Sequence, residues 1–226
     1  MSSYMVQFLY RTFVYGIALL TALPFHEFAH AWTANKLGDP TARWQGRMTL
    51  NPLKHLEPIG ALLMLLCGIG WAKPVPINPR HFKNPKTGMA ISSLAGPVSN
   101  LLLAYLSAVC YKLLVLPQAL LSGGFVAAFA SSLQNIFYIM VSVNVGLAVF
   151  NLLPIPPLDG SRVLNLFLPE RTYFAVMKYE RLIMICLLFA VSAGLLNGPL
   201  GAARSVVWKA LDFTTGYLDI LIRAVL

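Results

Sequence analysis

Charged side chains are scarce in this sequence. Only 11% of the 226 residues are Asp, Glu, Lys or Arg, and 58% are hydrophobic, whereas about a quarter of the residues in an average protein are charged. Several long runs carry few charges or none, and a helix needs about 20 such residues to cross a bilayer. The composition therefore excludes an ordinary soluble domain and predicts an all-α, polytopic membrane protein.

Acidic residues are scarcer than basic ones. The chain has 8 Asp and Glu residues against 17 Lys and Arg residues, which gives a net charge of +9. In a soluble protein this excess would suggest nucleic acid as a partner. Here the basic residues lie in loops beside apolar runs, which is typical of cytoplasmic loops facing anionic lipid headgroups. We therefore expect the lipid bilayer as a partner, and no nucleic acid.

Cysteines are few, and a signal for export is missing. Cys67, Cys110 and Cys186 are odd in number, far apart and each within an apolar segment, which excludes a disulfide framework and a cysteine-based metal site. The N-terminus lacks the basic region and the cleavage site of a signal peptide, so the first apolar run is expected to stay in the protein.

The first apolar run ends in an HExxH motif, His26-Glu27-Phe28-Ala29-His30. On a helix, residues four apart share a face, so His26 and His30 would point at one spot and could hold a zinc ion. Glu27 lies beside the first histidine, where its carboxylate could take a proton from water. Ionisable groups are costly in hydrocarbon and usually mark a site. The motif leaves the third ligand open.

The hydropathy pattern predicts a helical bundle of about four to six membrane segments. Residues 59–71 are apolar but number only about 13, too few for a full crossing, so we predict a re-entrant segment. Residues 200–226 are amphipathic and form either a final span or a helix in the membrane interface. Full spans are predicted over residues 10–35, 89–116, 132–153 and 182–196.

Prolines interrupt the pattern at residues 71–79. Pro74, Pro76 and Pro79 forbid a helix and predict a short extended stretch. This stretch is either a stiff surface connector or an edge strand that pairs with an extended substrate.

Prolines also follow the predicted span over residues 132–153, at membrane depth. Irregular backbone is tolerated there only where protein or a water-filled cavity surrounds it. Asp159 lies in this stretch and is either the N-cap of a short helix over residues 161–168 or the third zinc ligand, an oxygen donor beside two imidazoles. Asn100 either makes a packing hydrogen bond or acts beside the metal.

Basic residues predict how the chain is oriented. If residues 59–71 dip into the membrane and return, three basic loops share a side, and these hold twelve of the seventeen Lys and Arg residues. The loops are residues 36–58, 71–88 and 160–181. The positive-inside rule places them in the cytoplasm, at the same ends of the spans as the HExxH motif and Asp159.

Three motifs together resemble the site-2 protease family of intramembrane zinc metalloproteases. They are HEFAH at residues 26–30, SLAGPVSN at 93–100 and NLLPIPPLDG at 151–160. The stretch GWAKPVPINP at residues 70–79 resembles a compact prokaryotic branch of that family. The resemblance covers most of residues 24–162.

The resemblance implies a role for individual residues. His26, His30 and Asp159 would bind one Zn²⁺ per chain, and Glu27 would be the catalytic base. Asn151 would hold the substrate backbone near the active site. We also assign Asn100 to substrate binding.

The expected function is hydrolysis of peptide bonds within or near transmembrane segments of membrane-protein substrates. We expect one domain over residues 1–226, with a core at about 10–165 and C-terminal helices at about 174–226, in a prokaryotic cell membrane with the site toward the cytoplasm.

A non-catalytic scaffold or zinc-binding protein is one alternative. A prenyl-protein-type zinc protease is another, but it needs a glutamate ligand, and Glu170 and Glu180 lie in a basic linker. Compared with larger members, we expect no span before the HExxH helix, no PDZ domain and no nucleotide-sensing tail.

Overall fold

The described part of the chain is almost entirely helical. The computed structural model describes residues 3–57, 60, 73–116 and 124–225. The α-helices are α1 (Ser3–Lys36), α2 (Thr41–Trp44), α3 (Pro85–Leu113), α4 (Gly124–Asn151), α5 (Asp159–Leu164), α6 (Glu170–Met177), α7 (Glu180–Ser192) and α8 (Asn197–Val225). Short 3-10 turns lie at Pro52–Lys54 and Pro79–His81. The prediction of an all-α membrane protein is confirmed.

Three of these helices are long and apolar enough to cross a membrane. They are α1 over Thr12–Lys36, α3 and α4. Helices α7 and α8 form a bent pair, with 81° between them, that adds at most a fourth span. The predicted re-entrant segment over 59–71 lies outside the described residues, apart from Gly60.

The expected full span over residues 182–196 is not found. Helix α7 has 13 residues, about 20 Å at 1.5 Å per residue, against a hydrocarbon core of about 30 Å. The chain turns after it at Gly194, whose φ of 72° favours glycine. The hydropathy of this stretch therefore predicted a helix correctly but not its length.

Helix α3 is the centre of the bundle and contacts α1, α4, α5 and α8. Ala104 and Ala108 of α3 pack against valines of α4 and against Leu200 and Leu211 of α8. Small residues at these contacts let the helix backbones approach closely. Helix α8 also contacts α4, but its length and hydropathy make it a candidate span only together with α7. A final span and an interface helix both stay predictions for residues 200–226.

The helix ends form two opposite sides of the bundle. The carboxyl end of α1, the amino end of α3 and the carboxyl end of α4 share one side, where the HExxH motif lies. On the opposite side Asn135 of α4 donates a hydrogen bond to the Tyr10 hydroxyl of α1 at 3.0 Å. There Lys112 of α3 also pairs with Asp219 of α8, at 2.6 Å. The functional side chains are therefore concentrated at one end.

Residues 73–78 are extended and have no regular secondary structure. Their prolines account for this, as predicted. Helix α3 then starts at Pro85, earlier than hydropathy indicated, because Asn84 caps it by accepting a bond from the Thr87 N–H at 3.2 Å.

Candidate metal centre

The two histidines of the HExxH motif and Asp159 converge on one point. The Nε2 atoms of His26 and His30 are 3.0 Å apart. Asp159 Oδ2 lies 3.2 Å from His26 Nε2 and 3.3 Å from His30 Nε2. All three side chains are buried. Among the residues that the structure describes, they form the only group of three or more His, Cys, Asp or Glu side chains close enough to share a metal.

Asp159 reaches the histidines from the start of α5. The N-cap position of this helix belongs to Leu158, which makes no side-chain cap bond. Asp159 is the first helical residue, and its carboxylate contacts the imidazoles instead. The interpretation of Asp159 as an N-cap is therefore wrong.

Each histidine is oriented by an oxygen of α3. His26 Nδ1 is 2.9 Å from Asn100 Oδ1, and His30 Nδ1 is 2.7 Å from the Ser92 carbonyl oxygen. Because both partners are acceptors, each Nδ1 carries the proton and each Nε2 keeps a free lone pair. This is the arrangement that orients imidazole ligands in zinc proteins.

Gly96 allows α3 to approach the histidines. A Cβ atom at this position would lie 2.4 Å from His30 Nε2 and 2.6 Å from His26 Cε1. Gly160 has a similar role next to Asp159, because a Cβ there would lie 2.2 Å from the Leu152 carbonyl oxygen. Sequence reasoning expected small residues at 93–100 for helix packing and missed that one of them faces the site.

The carboxylate of Glu27 is buried and makes a specific hydrogen bond. It is 8% exposed, and its Oε2 accepts from the backbone N–H of Val75 at 2.8 Å. The bond joins the HExxH helix to the extended residues 73–78. The two motifs were predicted separately, and nothing in their sequences indicated this contact.

The two asparagines assigned to substrate binding lie in different surroundings. Asn100 is fully buried and contacts His26, which agrees with an action beside the metal. Asn151 is half-buried at the end of α4, and its Nδ2 donates to the Leu147 carbonyl at 3.0 Å. For both residues, the role in substrate binding stays a prediction.

The donor set fits a catalytic zinc site. Two imidazole nitrogens and one carboxylate oxygen are the three protein ligands of many such sites, in which the fourth position serves water or substrate. Tetrahedral zinc with bonds of about 2.0–2.1 Å places its ligand atoms about 3.3 Å apart. The three separations of 3.0, 3.2 and 3.3 Å are close to this value. Fold and site together define a membrane protein with a buried, protease-type zinc centre.

Comparisons with known proteins give the family. Residues 117–193 match the model of Peptidase family M50, a range that includes Asp159 but not the HExxH motif. The chain is 42% identical over 198 residues to the Bacillus subtilis protein named "Putative zinc metalloprotease YwhC", covering 87% of this chain and 84% of that protein. The chain belongs to Peptidase family M50, the site-2 protease family, as the motifs predicted.

More distant relatives are mycobacterial. The Rip2 proteins of Mycolicibacterium smegmatis and Mycobacterium tuberculosis carry the same zinc-metalloprotease designation. They are 36% and 34% identical to this chain over 162 and 185 residues, or 70% and 79% of it. The chain spans 58% and 66% of their respective lengths. No solved structure is significantly similar to the chain. The family and its relatives make the protein a zinc metalloprotease with several membrane helices.

Proposed function

We propose that this metalloprotease cuts peptide bonds within or near the transmembrane segments of membrane-protein substrates. The observation that carries the proposal is the position of the site. His26 and His30 lie inside a candidate span, and Asn100, which orients His26, lies inside a second one. A site built between spans is suited to a substrate that arrives through the bilayer.

Each residue has a distinct task in the proposed reaction. His26, His30 and Asp159 would hold the zinc ion, which when bound acidifies water and polarises a carbonyl group. Glu27 takes the proton of the attacking water on its carboxylate and passes it to the leaving amine. Asn100 and the Ser92 carbonyl keep both imidazoles in the tautomer that binds metal through Nε2.

The substrate must present an exposed carbonyl group. A transmembrane helix hides its carbonyls in internal hydrogen bonds, so it has to unwind locally before hydrolysis. We infer that favoured substrates carry helix-breaking residues near the level of the site. The buried ligands keep the site away from folded soluble chains.

The proposed orientation places the site toward the cytoplasm of a prokaryotic cell. Its support is that the described parts of all three basic loops lie at the same end of the bundle as the zinc ligands. These loops hold twelve of the seventeen Lys and Arg residues, and a bias of this size indicates the cytoplasmic face.

The test uses a single-span reporter protein, tagged at both ends, with a Gly-Pro pair near the cytoplasmic end of a Leu/Ala span. It is reconstituted with the purified protein in phosphatidylethanolamine and phosphatidylglycerol liposomes, and fragments are mapped by mass spectrometry. The wild type should cut in or beside the span, and a chelator should stop it. Glu27→Gln should keep its zinc but not cut. Cleavage by Glu27→Gln at the wild-type rate would contradict the role of Glu27.

The alternative of a non-catalytic scaffold predicts a different result. If the protein is a scaffold, the wild type and the Glu27→Gln variant should bind membrane partners equally well. A protease should accumulate uncut single-span proteins on the Glu27→Gln variant in native membranes, and the wild type should release their fragments. Equal capture of intact partners by both proteins would favour the scaffold.

A further inference from the structure

We propose that the backbone N–H of Val75 is a positioning group for the catalytic base, and that Arg47 and Asp39 hold Val75 in place. The inference rests on the proposed function, because it assumes that Glu27 acts as the base. It assigns a task to the extended residues 73–78, here called the proline segment, and to two loop residues outside the known motif.

The contact with Glu27 is direct and buried. The Val75 N–H donates to Glu27 Oε2 at 2.8 Å, and both residues are 8% exposed. Hydrogen bonds with a charged partner are about twice as strong as neutral ones. The bond engages Oε2 alone, which leaves Oε1 to act on water. A long glutamate side chain thereby has one fixed orientation before substrate arrives.

The proline segment is itself held firmly at both ends. At its start, Arg47 Nη2 donates to the carbonyl oxygens of Lys73 at 2.7 Å and Pro74 at 3.2 Å. At its end, the Asn78 N–H donates to Asp39 Oδ2 at 2.7 Å. Arg47 and Asp39 are buried, with exposures of 9% and 0%. Their bonds fix the segment against the stretch of chain that follows α1.

Side-chain packing supports the same placement. Val75 packs with Ala31, one residue after the second histidine, and with Ala42 of α2. Pro74 and Pro76 fix their own φ angles, and Pro76 confines the residue before it, Val75, to extended conformations. They also lack N–H groups, so Val75 supplies the one donor of residues 74–76. The sequence of the segment thus selects a single amide for Glu27.

These bonds weaken the interpretation of the proline segment as an edge strand for substrate. Pairing with an extended substrate needs free backbone donors. The N–H groups of Lys73, Val75 and Asn78 already donate within the protein, to His55 O, Glu27 Oε2 and Asp39 Oδ2. Three of the four backbone donors of residues 73–78 are therefore used to build the site.

Two matched proline substitutions test the proposal. Val75→Pro removes the donor to Glu27 in a position that is already extended, and Ile77→Pro removes an N–H two residues further on that does not contact Glu27. Because misplacement of a catalytic group by about 1 Å costs about 100-fold in rate, Val75→Pro should lower kcat on the reporter about 10- to 100-fold. Its KM and zinc content should stay near the wild-type values, and Ile77→Pro should lose far less.

A second pair of variants tests whether Arg47 holds the proline segment in place. Arg47→Met should lower kcat in the same direction as Val75→Pro, with zinc retained, because the start of the proline segment is released. Arg43→Met is the control, since Arg43 is an exposed arginine of α2 nearby. Equal losses in both arginine variants would indicate a general effect of charge, contrary to the proposal.

Amide hydrogen exchange tests the contact without any substrate. The proline segment has only four exchanging amides, those of Lys73, Val75, Ile77 and Asn78. Glu27→Ala should speed the exchange of one of them, Val75, whereas Glu27→Gln keeps an acceptor oxygen and should keep more of the protection. Unchanged exchange in Glu27→Ala would overturn the proposal.

The outcomes separate this inference from the proposed function. Cleavage by Glu27→Gln at the wild-type rate would remove Glu27 as the base, and the positioning proposal with it. An inactive Glu27→Gln protein together with a fully active Val75→Pro protein would contradict the positioning role alone. Equal losses in Val75→Pro and Ile77→Pro would also contradict it, because only one of them removes the bond to Glu27.

Discussion

At the scale of single residues, the site depends on groups that bind the Nδ1 atoms of the two histidine ligands, on the far side of each ring from Nε2. Asn100 and the carbonyl of Ser92 accept hydrogen bonds from the two imidazoles at 2.9 and 2.7 Å. Such partners fix the orientation and tautomer of a metal-binding histidine, and their loss typically costs about 10- to 100-fold in metal affinity. The asparagine is the one of the two that a substitution can remove.

We predict that Asn100→Leu weakens zinc binding about 10- to 100-fold. Leucine keeps the volume but cannot accept from His26 Nδ1, so the imidazole is free to rotate or to change tautomer. Asn144→Leu is the matched control, because Asn144 is also fully buried but bonds to the Met140 carbonyl of its own helix. Competition with a chromogenic chelator measures both affinities. Equal weakening in both variants would contradict the role of Asn100.

Asp39 predicts a dependence of stability on pH. Burial raises the pKa of its carboxyl, but hydrogen bonds from Thr41, His81 and Asn78 lower it by more, so that it lies below the ordinary value of 3.8. The folded state therefore favours the ionised carboxylate more than the unfolded state does. This stabilisation is complete above the unfolded pKa and is lost as the pH falls through the lowered folded pKa.

Asp39→Asn should reduce the stability of the protein at neutral pH. It should also make that stability fall less steeply as the pH is lowered. A hydrogen bond to a charged group contributes about 1.5–3 kcal/mol, so a loss of this order is expected. Thermal unfolding of both proteins in detergent, measured from about pH 6 down to about pH 3 to cover the ordinary carboxyl pKa, should give stability curves that approach each other toward the acid end. Parallel curves would show that Asp39 does not account for the acid sensitivity.

At the scale of helices, the close approach of α1 and α3 is set by Gly96. We predict that Gly96→Ala prevents both imidazoles from keeping their positions, because the new Cβ would lie 2.4 Å from His30 Nε2. Zinc content after purification should fall well below that of the wild type. Gly216→Ala in α8 is the control, since a Cβ there meets no atom within 4 Å. A Gly96→Ala protein with full zinc content would contradict this packing.

The helices themselves could be predicted from the sequence, because hydropathy and proline placement are local properties. The spans of α1, α3 and α4 follow from them, and the pairing of His26 with His30 follows from their four-residue spacing on a helix. The bend between α7 and α8 was missed, since a left-handed turn at Gly194 interrupts an apolar run without changing its composition. The position of Asp159 inside α5 and the bond from Val75 to Glu27 depend on tertiary contacts between distant stretches. Such contacts leave no periodic signal in one sequence.

At the scale of the whole molecule, the two ends of the bundle should lie on opposite faces of the membrane. We predict that a cysteine replacing Lys54, in a chain without its native cysteines, reacts with a membrane-impermeant maleimide only after the cells are opened. A cysteine replacing Leu113, at the other end of α3, should react in intact cells. The reverse pattern would place the zinc site on the outer face.

The convergence of the HExxH helix with a residue more than a hundred positions away is the central claim. Its most direct test is the zinc-to-protein ratio of purified, detergent-solubilised variants. The wild type and the control Asp212→Ala, which removes an exposed aspartate of α8, should hold one zinc ion per chain. Asp159→Ala should hold far less after the same dialysis, because only two protein ligands remain. An Asp159→Ala protein that keeps one zinc ion per chain would contradict the account.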